Sequence, residues 1–444
     1  MTPVANELFS RFTPAERRAS SNALHIAVVG GGPSGLLLAW KLLDTGHNVT
    51  LFEKRDEYQL NRAPDSRSYN LTADGLGLRA FGRLSNLIYS AGVIVVGRAI
   101  HSPSGLWTHP YGYRASDHLV SIPRGDLLAL LTGTISDHPC CTLHFSSEVQ
   151  DADVKKGLVR WKHKTRTETL DNLDLIAFAD GVHGLGLQKA KNQPGVDSVS
   201  ETEDTPYLNL TIPREAVAQA KLELNRIHFF PSDESLGIGL PNYDGTISLL
   251  IEARITKNHK DEPVCPFTRR TPFDFSQTVF TKRDAFECYL QNQNRKLPRL
   301  LEDCPNTQIL NRPAGHFIES FVNNWRVGKV GVLVGDAGSC APPWAGFGMN
   351  LACSHAADLA HLINDSDSVV GALVRYNVRR QKCTTVVREI IRQHGVLLNS
   401  GIGSRKWRRE QALRERREQV LGERSAYQMV AFEEGGLEDL AGLQ

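Results

Sequence analysis

The first apolar stretch of the chain is a short β-branched run, His25-Ile26-Ala27-Val28-Val29, stopped by glycines. Leu36 to Leu43 then read as a helix, and Val49-Thr50-Leu51-Phe52-Glu53 as a second strand. Strand, helix and strand within about 30 residues form a βαβ unit with a right-handed crossover. Further on, Asp126 to Thr132 reads as helical and Leu173 to Ala179 as a buried strand. Between residues 205 and 255 the pattern turns β-rich, with Ile227 to Phe230, Gly237 to Leu240 and Ile247 to Ile251. Asn242-Tyr243-Asp244-Gly245 supplies the hairpin turn before the last of these, since Asp-Gly favours the tight turns that join strands. Another apolar strand, Val330 to Val334, precedes a second glycine-rich loop, and from Leu351 the pattern is helical. A run of hairpins set into an α/β chain predicts a second sheet with its own task.

Composition narrows the class. The chain has 444 residues, 41% hydrophobic and 23% charged, which is globular. Lys plus Arg (51) against Asp plus Glu (49) is too balanced for nucleic acid to be the main partner. The basic stretch Arg405 to Arg424 has acids interleaved and reads as a solvated helix. Eight scattered cysteines, without a C-x-x-C, read as reduced thiols, and no zinc spacing occurs. Ile26 to Trp40 is uncharged, but it is shorter than the ~20 residues a spanning helix needs and is broken by Gly30-Gly31-Gly32-Pro33-Ser34-Gly35. A cytoplasmic protein without a membrane anchor is expected.

That glycine segment carries chemistry. Gly30-x-Gly32-x-x-Gly35 lies between strand and helix, and Glu53 ends the next strand. The first glycine permits the turn, the second admits a pyrophosphate, and the third lets helix and strand pack closely. The helix N-terminus offers free N–H groups to phosphates, and Glu53 can accept hydrogen bonds from ribose hydroxyls. The expected ligand half is the adenosine diphosphate of FAD or NAD. The alternative is a glycine turn without a ligand.

Three later segments decide between the dinucleotides: Asp180-Gly181 after a strand, Gly335-Asp336-Ala337-Gly338, and Pro343-Trp344-Ala345-Gly346-Phe347-Gly348-Met349-Asn350. Their order resembles that in FAD-dependent aromatic hydroxylases of the p-hydroxybenzoate hydroxylase fold. The resemblance implies an α/β fold, with a discontinuous Rossmann-like FAD-binding domain, an inserted β-rich substrate domain and a helical C-terminal region. The expected divisions are an arm at 1–22, FAD-binding parts at 23–80, 123–200 and 311–365, substrate-domain parts at 81–122 and 201–310, and C-terminal helices at 366–444. The aspartate of the GD motif is then expected on the ribityl chain, with the Gly348-Met349-Asn350 backbone on the flavin pyrimidine.

A narrower resemblance is to the kynurenine 3-monooxygenase family. It rests on Arg67-Ser68-Tyr69-Asn70-Leu71-Thr72, Arg98 to Gly105, Pro110-Tyr111-Gly112, Ser121 to Arg124, and Ile227 to Phe230 with Leu240-Pro241-Asn242. It implies that Arg98 and Tyr111 hold a substrate carboxylate, an arginine fork and a phenol satisfying it together. Glu53, Lys54, Arg55, Arg124, Val149, Asp336, Met349 and Asn350 are implied as flavin contacts, beside Asp180 and Gly348. Phe230 and Trp344 are expected pocket walls, as are Phe229, Tyr243 and Phe347, and Pro343 is expected at the flavin C4a edge. The family's GDAAH reads GDAGS here, its G-Q-G-M-N has Phe347 for glutamine, and Gly184 and Leu187 replace the serine and arginine after DG. The expected activity is NAD(P)H-consuming insertion of one oxygen atom from O2 into an electron-rich aromatic ring through a flavin C4a-hydroperoxide. NADPH or NADH is the expected co-substrate, and the protein a monomer or homodimer. Baeyer–Villiger or epoxidising chemistry, or an FAD-dependent amine oxidase, are the alternatives.

Overall fold

His25–Val29 and Leu175–Phe178 are the two central strands of a six-stranded sheet. Its order is Arg326–Val327, Gly331–Leu333, Leu175–Phe178, His25–Val29, Asn48–Phe52, Cys141–His144, parallel except at the first edge. The computed structural model describes residues 23–56, 70–112, 114–399 and 424–442, with Phe12, Ile402, Trp407, Arg409, Ala412, Leu413, Arg416 and Arg417 as isolated positions. The expected arm at 1–22, except Phe12, and most of the basic stretch at 405–424 lie outside the described residues, and so do Arg67, Ser68 and Tyr69.

Helix α1 (Pro33–Asp44) follows the first strand, and Leu36, Leu37 and Leu38 are all fully buried. Three consecutive leucines sweep most of a helix circumference, so α1 needs apolar partners on more than one side. It lies against the sheet and against α2 (Gly348–Asn364), whose own apolar run is likewise buried. Each fully buried leucine contributes roughly 1.5–3 kcal/mol. The strand and helix assignments of the βαβ reading hold to within three residues at the ends, the helix starting at Pro33 rather than Leu36.

The second sheet has the order Tyr207–Ile212, Ile247–Ala253, Ser235–Pro241, Arg226–Pro231, Gly97–Ser102, Gly105–Pro110. Gly245, at a φ of +86°, closes the hairpin turn after Asn242. Side chains along a strand alternate faces. One face of this sheet, with Phe230, Leu249 and Ile251, packs against Phe267, Phe280 and Phe286 in a second core. The other face presents Ile100, Ile227, Phe229 and Leu240 to a third cluster, which α3 (Val369–Asn399) and α4 (Ala426–Phe432) complete. Two small sheets straddle the expected divisions: Leu71–Ala73 with Leu119–Ile122 and Val93–Val95, and Ser198–Thr202 with Ile318–Val322 and Ser339–Cys340. No helix among the described residues is long and apolar enough to cross a membrane. All eight cysteines are free thiols, and among the described residues no cluster could hold a metal ion.

Candidate active site

The glycine turn after the first strand does three separate jobs. At Gly30 the φ is +106° and a Cβ would stand 2.4 Å from the Ala179 carbonyl oxygen, so only glycine fits. At Gly35 a Cβ would stand 2.0 Å from the Gly30 oxygen, which fixes how closely α1 meets the strands. Around Gly32 nothing lies within 4 Å of the Cβ position, so this backbone faces open space.

That open space is a cleft of about 740 Å³ between the parallel sheet and the smaller elements beside it. Gly30, Gly32, Glu53, Lys54, Arg55, Arg124, Val149, Asp180, Asp336, Gly348 and Met349 all line it. The Glu53 carboxylate is buried and accepts from the Gly31 N–H at 2.8 Å, the Arg55 N–H at 2.8 Å and Arg55 Nε at 2.9 Å. Burial opposes its ionisation, but the hydrogen bonds and charge of Arg55, helped by Gly31, outweigh that and hold it below the ordinary carboxylate range. Asp180 accepts from the Gly186 N–H at 3.0 Å, at the start of the helix Leu185–Lys191, while its Oδ1 is buried without a hydrogen-bond partner. Burial raises its carboxyl to about 6. Asp336 opens onto the cleft but is ringed by protein, and this crowding, relieved in part by Arg124, also lifts it to about 6.

Two departures from the family's motifs acquire physical reasons here. A Cβ at Gly184 would stand 2.1 Å from the Asp180 carboxyl carbon, so the missing side chain makes room for that carboxylate. At Gly338 a Cβ would meet the Trp325 ring at 2.4 Å, so the smaller residue lets a fully buried tryptophan pack there.

A second, mostly apolar chamber of about 240 Å³ adjoins the cleft, sharing Leu71, Ala341, Gly348 and Met349 with it. The second sheet supplies Arg98, Ile100, Ile227, Phe229, Ile238 and Leu240. Pro343 and Trp344 come from the loop before α2, and a Cβ on Gly395 of α3 would stand 2.5 Å from the Trp344 ring. The Arg98 guanidinium lies 4.6 Å from the Tyr111 ring centre and 6.0 Å from that of Tyr427. Arg98 has no carboxylate partner among the described residues. Tyr111 is buried and Tyr427 partly buried, and desolvation raises both phenols above the ordinary value, so they stay protonated donors at neutral pH.

Phe230 requires correction. It is fully buried on the opposite face of the sheet, stacked on His101 with ring centres 4.6 Å apart. Phe229, one residue earlier, lines the chamber, because neighbouring strand positions point opposite ways. Tyr243 is 68% exposed on its turn, and Phe347 is buried behind the chamber rather than in its lining. The Asn350 side chain donates to the Thr72 and Gly346 carbonyls and accepts from the Asp74 N–H, tying the start of α2 to the 72–74 segment, so that only its backbone is left for the expected contact. Sequence reasoning missed the wall from the C-terminal region: His394, Trp407, Tyr427 and Gln428. The Ser425-x-x-Gln428 capping box, formed at the start of α4, was a signal that fixes where that helix begins.

A family model described as an FAD binding domain matches residues 23–382. The chain belongs to this FAD-binding family. Among its relatives, kynurenine 3-monooxygenase of Salinispora tropica is 28% identical over 376 residues, covering 82% of this chain and 78% of that protein. The enzyme of the same name from Anopheles gambiae is 26% identical over 347 residues, covering 77% and 67%. The solved tetrameric form of 2-methyl-3-hydroxypyridine-5-carboxylic acid oxygenase superposes with a TM-score of 0.66 at 19% identity, covering 87% of this chain and 94% of that one. Pseudomonas aeruginosa PqsL in complex with 2-aminobenzoylacetate gives 0.64 at 18%, covering 85% and 96%. These two share the fold. The protein is an FAD-dependent monooxygenase of the aromatic hydroxylase group.

The cleft fits FAD on its own geometry. Backbone open at Gly32 meets the pyrophosphate requirement, and the free N–H groups of α1 point the right way for phosphates. The buried Glu53 carboxylate stands beside it, and Asp336 faces the same space from the turn that follows the strand Gly331–Leu333. Gly348 and Met349, at the N-terminus of α2, border cleft and chamber at once.

Proposed function

We propose that the chamber takes an aromatic substrate with a carboxylate, and that the enzyme inserts one oxygen atom from O2 into its ring at the expense of NAD(P)H. One observation carries this reading: Arg98, unpaired with any described carboxylate and flanked by the phenols of Tyr111 and Tyr427, faces an apolar chamber that opens onto the FAD cleft. An arginine in such surroundings is an anion site waiting for its anion. Tyr111 and Tyr427 add donors to the same carboxylate.

FAD, when bound, supplies the redox and oxygen-activating chemistry. The chain's own part is binding, aim and exclusion of water. Glu53 takes the adenosine ribose, Asp336 and Arg124 the more polar reach of the cofactor, and Gly348 and Met349 its ring end. Lys54, Arg55, Val149 and Asp180 complete the cleft wall. Pro343 and Trp344 stand at the chamber's cofactor side, while Ile227, Phe229 and Leu240 hold an aromatic ring away from water. The names of the kynurenine 3-monooxygenase relatives support a substrate with both an aromatic amine and a carboxylate.

The test is a panel of aromatic acids, kynurenine included, offered to the purified holoenzyme with NADPH or NADH. Reduced-cofactor consumption stimulated by an aromatic acid, with a product heavier by one oxygen atom, is expected. Stoichiometric peroxide from an amine without NAD(P)H would contradict the proposal.

A further inference from the structure

Glu252 is buried at 7% exposure, and its Oε2 accepts no hydrogen bond. Along its strand, Leu249 and Ile251 enter the second core while Leu250 and Glu252 face the chamber. A carboxyl in this position is costly, because nothing replaces the water it loses. Apolar packing does not require it, and costly groups of this kind concentrate where they act. Its neighbour across the antiparallel pair is Tyr207, which lines the FAD cleft. Glu252 therefore lies at the cofactor end of the chamber. Arg98 is three strand-to-strand steps away across the sheet and four residues away along it, about 20 Å between backbones at ordinary spacing. Between them the lining is apolar: Ile227, Phe229, Ile238 and Leu240.

We infer that Glu252 is a second substrate-recognition residue, which accepts a hydrogen bond from an amine or hydroxyl on the aromatic ring while Arg98 holds the carboxylate at the other end. The inference rests on the proposed carboxylate site and adds to it the substrate's other pole. An elongated molecule is selected, with its donor-bearing ring next to the cofactor and its acid remote. A carboxylate accepting from a ring amine or hydroxyl also pushes electron density into the ring that is to be attacked. Burial alone lifts the Glu252 carboxyl to about 7, so both protonation states are accessible near neutrality.

The experiment uses FAD-loaded full-length protein and three probes: 4-phenyl-4-oxobutanoate, its 2-aminophenyl analogue and its 4-hydroxyphenyl analogue. Binding is read from the change in flavin absorbance. The wild type should bind a donor-bearing probe roughly tenfold or more tighter than the plain phenyl acid, the worth of a hydrogen bond to a charged group. Glu252→Leu should erase that preference while leaving the plain acid bound at least as tightly, and should raise Tm. Glu252→Gln, which keeps shape and a weaker acceptor, should lower the preference several-fold, and serves if the leucine variant folds poorly. An unchanged preference in either folded variant overturns the role of Glu252. Arg98→Ala should weaken all three probes by a similar factor. If it weakens none, the carboxylate site itself is wrong, whatever Glu252 does. Failure of every probe to bind the wild type overturns both.

Discussion

Phe347 stacks on Tyr427 with ring centres 5.1 Å apart and planes 15° from parallel, joining the loop before α2 to helix α4. Tyr427 in turn stands beside Arg98 in the chamber wall. A phenylalanine in place of the family's glutamine therefore supports the chamber wall from behind. Phe347→Ala removes a fully enclosed ring, and should cost roughly 3–5 kcal/mol of stability. Where the protein remains folded, KM for an aromatic acid should rise while FAD content stays near that of the wild type. Thermal melts, flavin absorbance and steady-state kinetics check the three parts. A lost flavin with an unchanged KM would place Phe347 in the cofactor's support instead.

Arg98 gives a sharper expectation. It is half-buried, so its contact with a carboxylate is not fully shielded, and Arg98→Ala should weaken binding by roughly 1.5–3 kcal/mol. Arg98→Lys keeps the charge but loses the planar fork and the face-on contact with Tyr111. It should recover less than half of the loss. Comparison of KM and kcat for both variants is the check, and unchanged constants in the alanine variant would remove Arg98 from the site.

The glycines of the cofactor turn separate folding from binding. Gly35→Ala sets a methyl against the Gly30 carbonyl and should destabilise by about 1–3 kcal/mol or more, whether or not FAD is present. Gly32→Ala meets no protein atom, so apoprotein Tm should barely move while FAD affinity falls at least tenfold. Equal loss of apoprotein stability in both would show that Gly32 has no ligand to make room for.

How far the site was legible in sequence follows from the range of the forces that make it. The turn at Gly30 to Gly35 is local: its steric demands involve residues close along the chain or on the adjoining strand. Asp336 and Met349 were expected from the resemblance of their short motifs to those of a known family, and both line the cleft. The face of Phe230 was not found, since Phe229 and Phe230 are chemically alike and only the register of the sheet decides which one enters the chamber. The wall made by His394, Trp407 and Tyr427 was invisible for another reason. It depends on how α3 and α4 return to the chamber, and no residue pattern near Tyr427 encodes that contact. Glu252 sits within an apolar strand, where one polar letter reads as an edge residue until burial is known.

On the second sheet, His101 and His228 form a buried chain that leads to acid sensitivity. With neutral rings, Lys296 Nζ donates to His101 Nδ1 at 2.9 Å, His101 Nε2 to His228 Nδ1 at 2.9 Å, and His228 Nε2 to the Glu223 carbonyl at 2.8 Å. Burial, with Lys296 and His228 nearby, pushes His101 down to about 3, and burial lowers His228 as well. Both rings stay neutral in the fold while an unfolded chain protonates them near pH 6.5. Their stabilisation is complete above that pH and is lost as pH falls from about 6.5 toward 3, by up to roughly 1.4 kcal/mol per pH unit per ring. The buried carboxyls Asp74 and Glu252, both raised to about 7, titrate with the opposite sign. The readout is therefore the difference between wild type and His101→Gln in urea midpoint from pH 7 to pH 4.5. The variant should lose less stability on acidification, and parallel curves would contradict the neutral-ring arrangement.

The most direct measurement of the central claim is turnover of an aromatic acid under isotopically labelled dioxygen, with product mass and NAD(P)H consumption followed together. The account predicts one labelled oxygen atom per product molecule, NAD(P)H oxidation stimulated by the acid, and loss of both in Arg98→Ala at the same substrate concentration. A yellow, folded protein whose NAD(P)H oxidation no aromatic acid accelerates, and whose products carry no label, would contradict it.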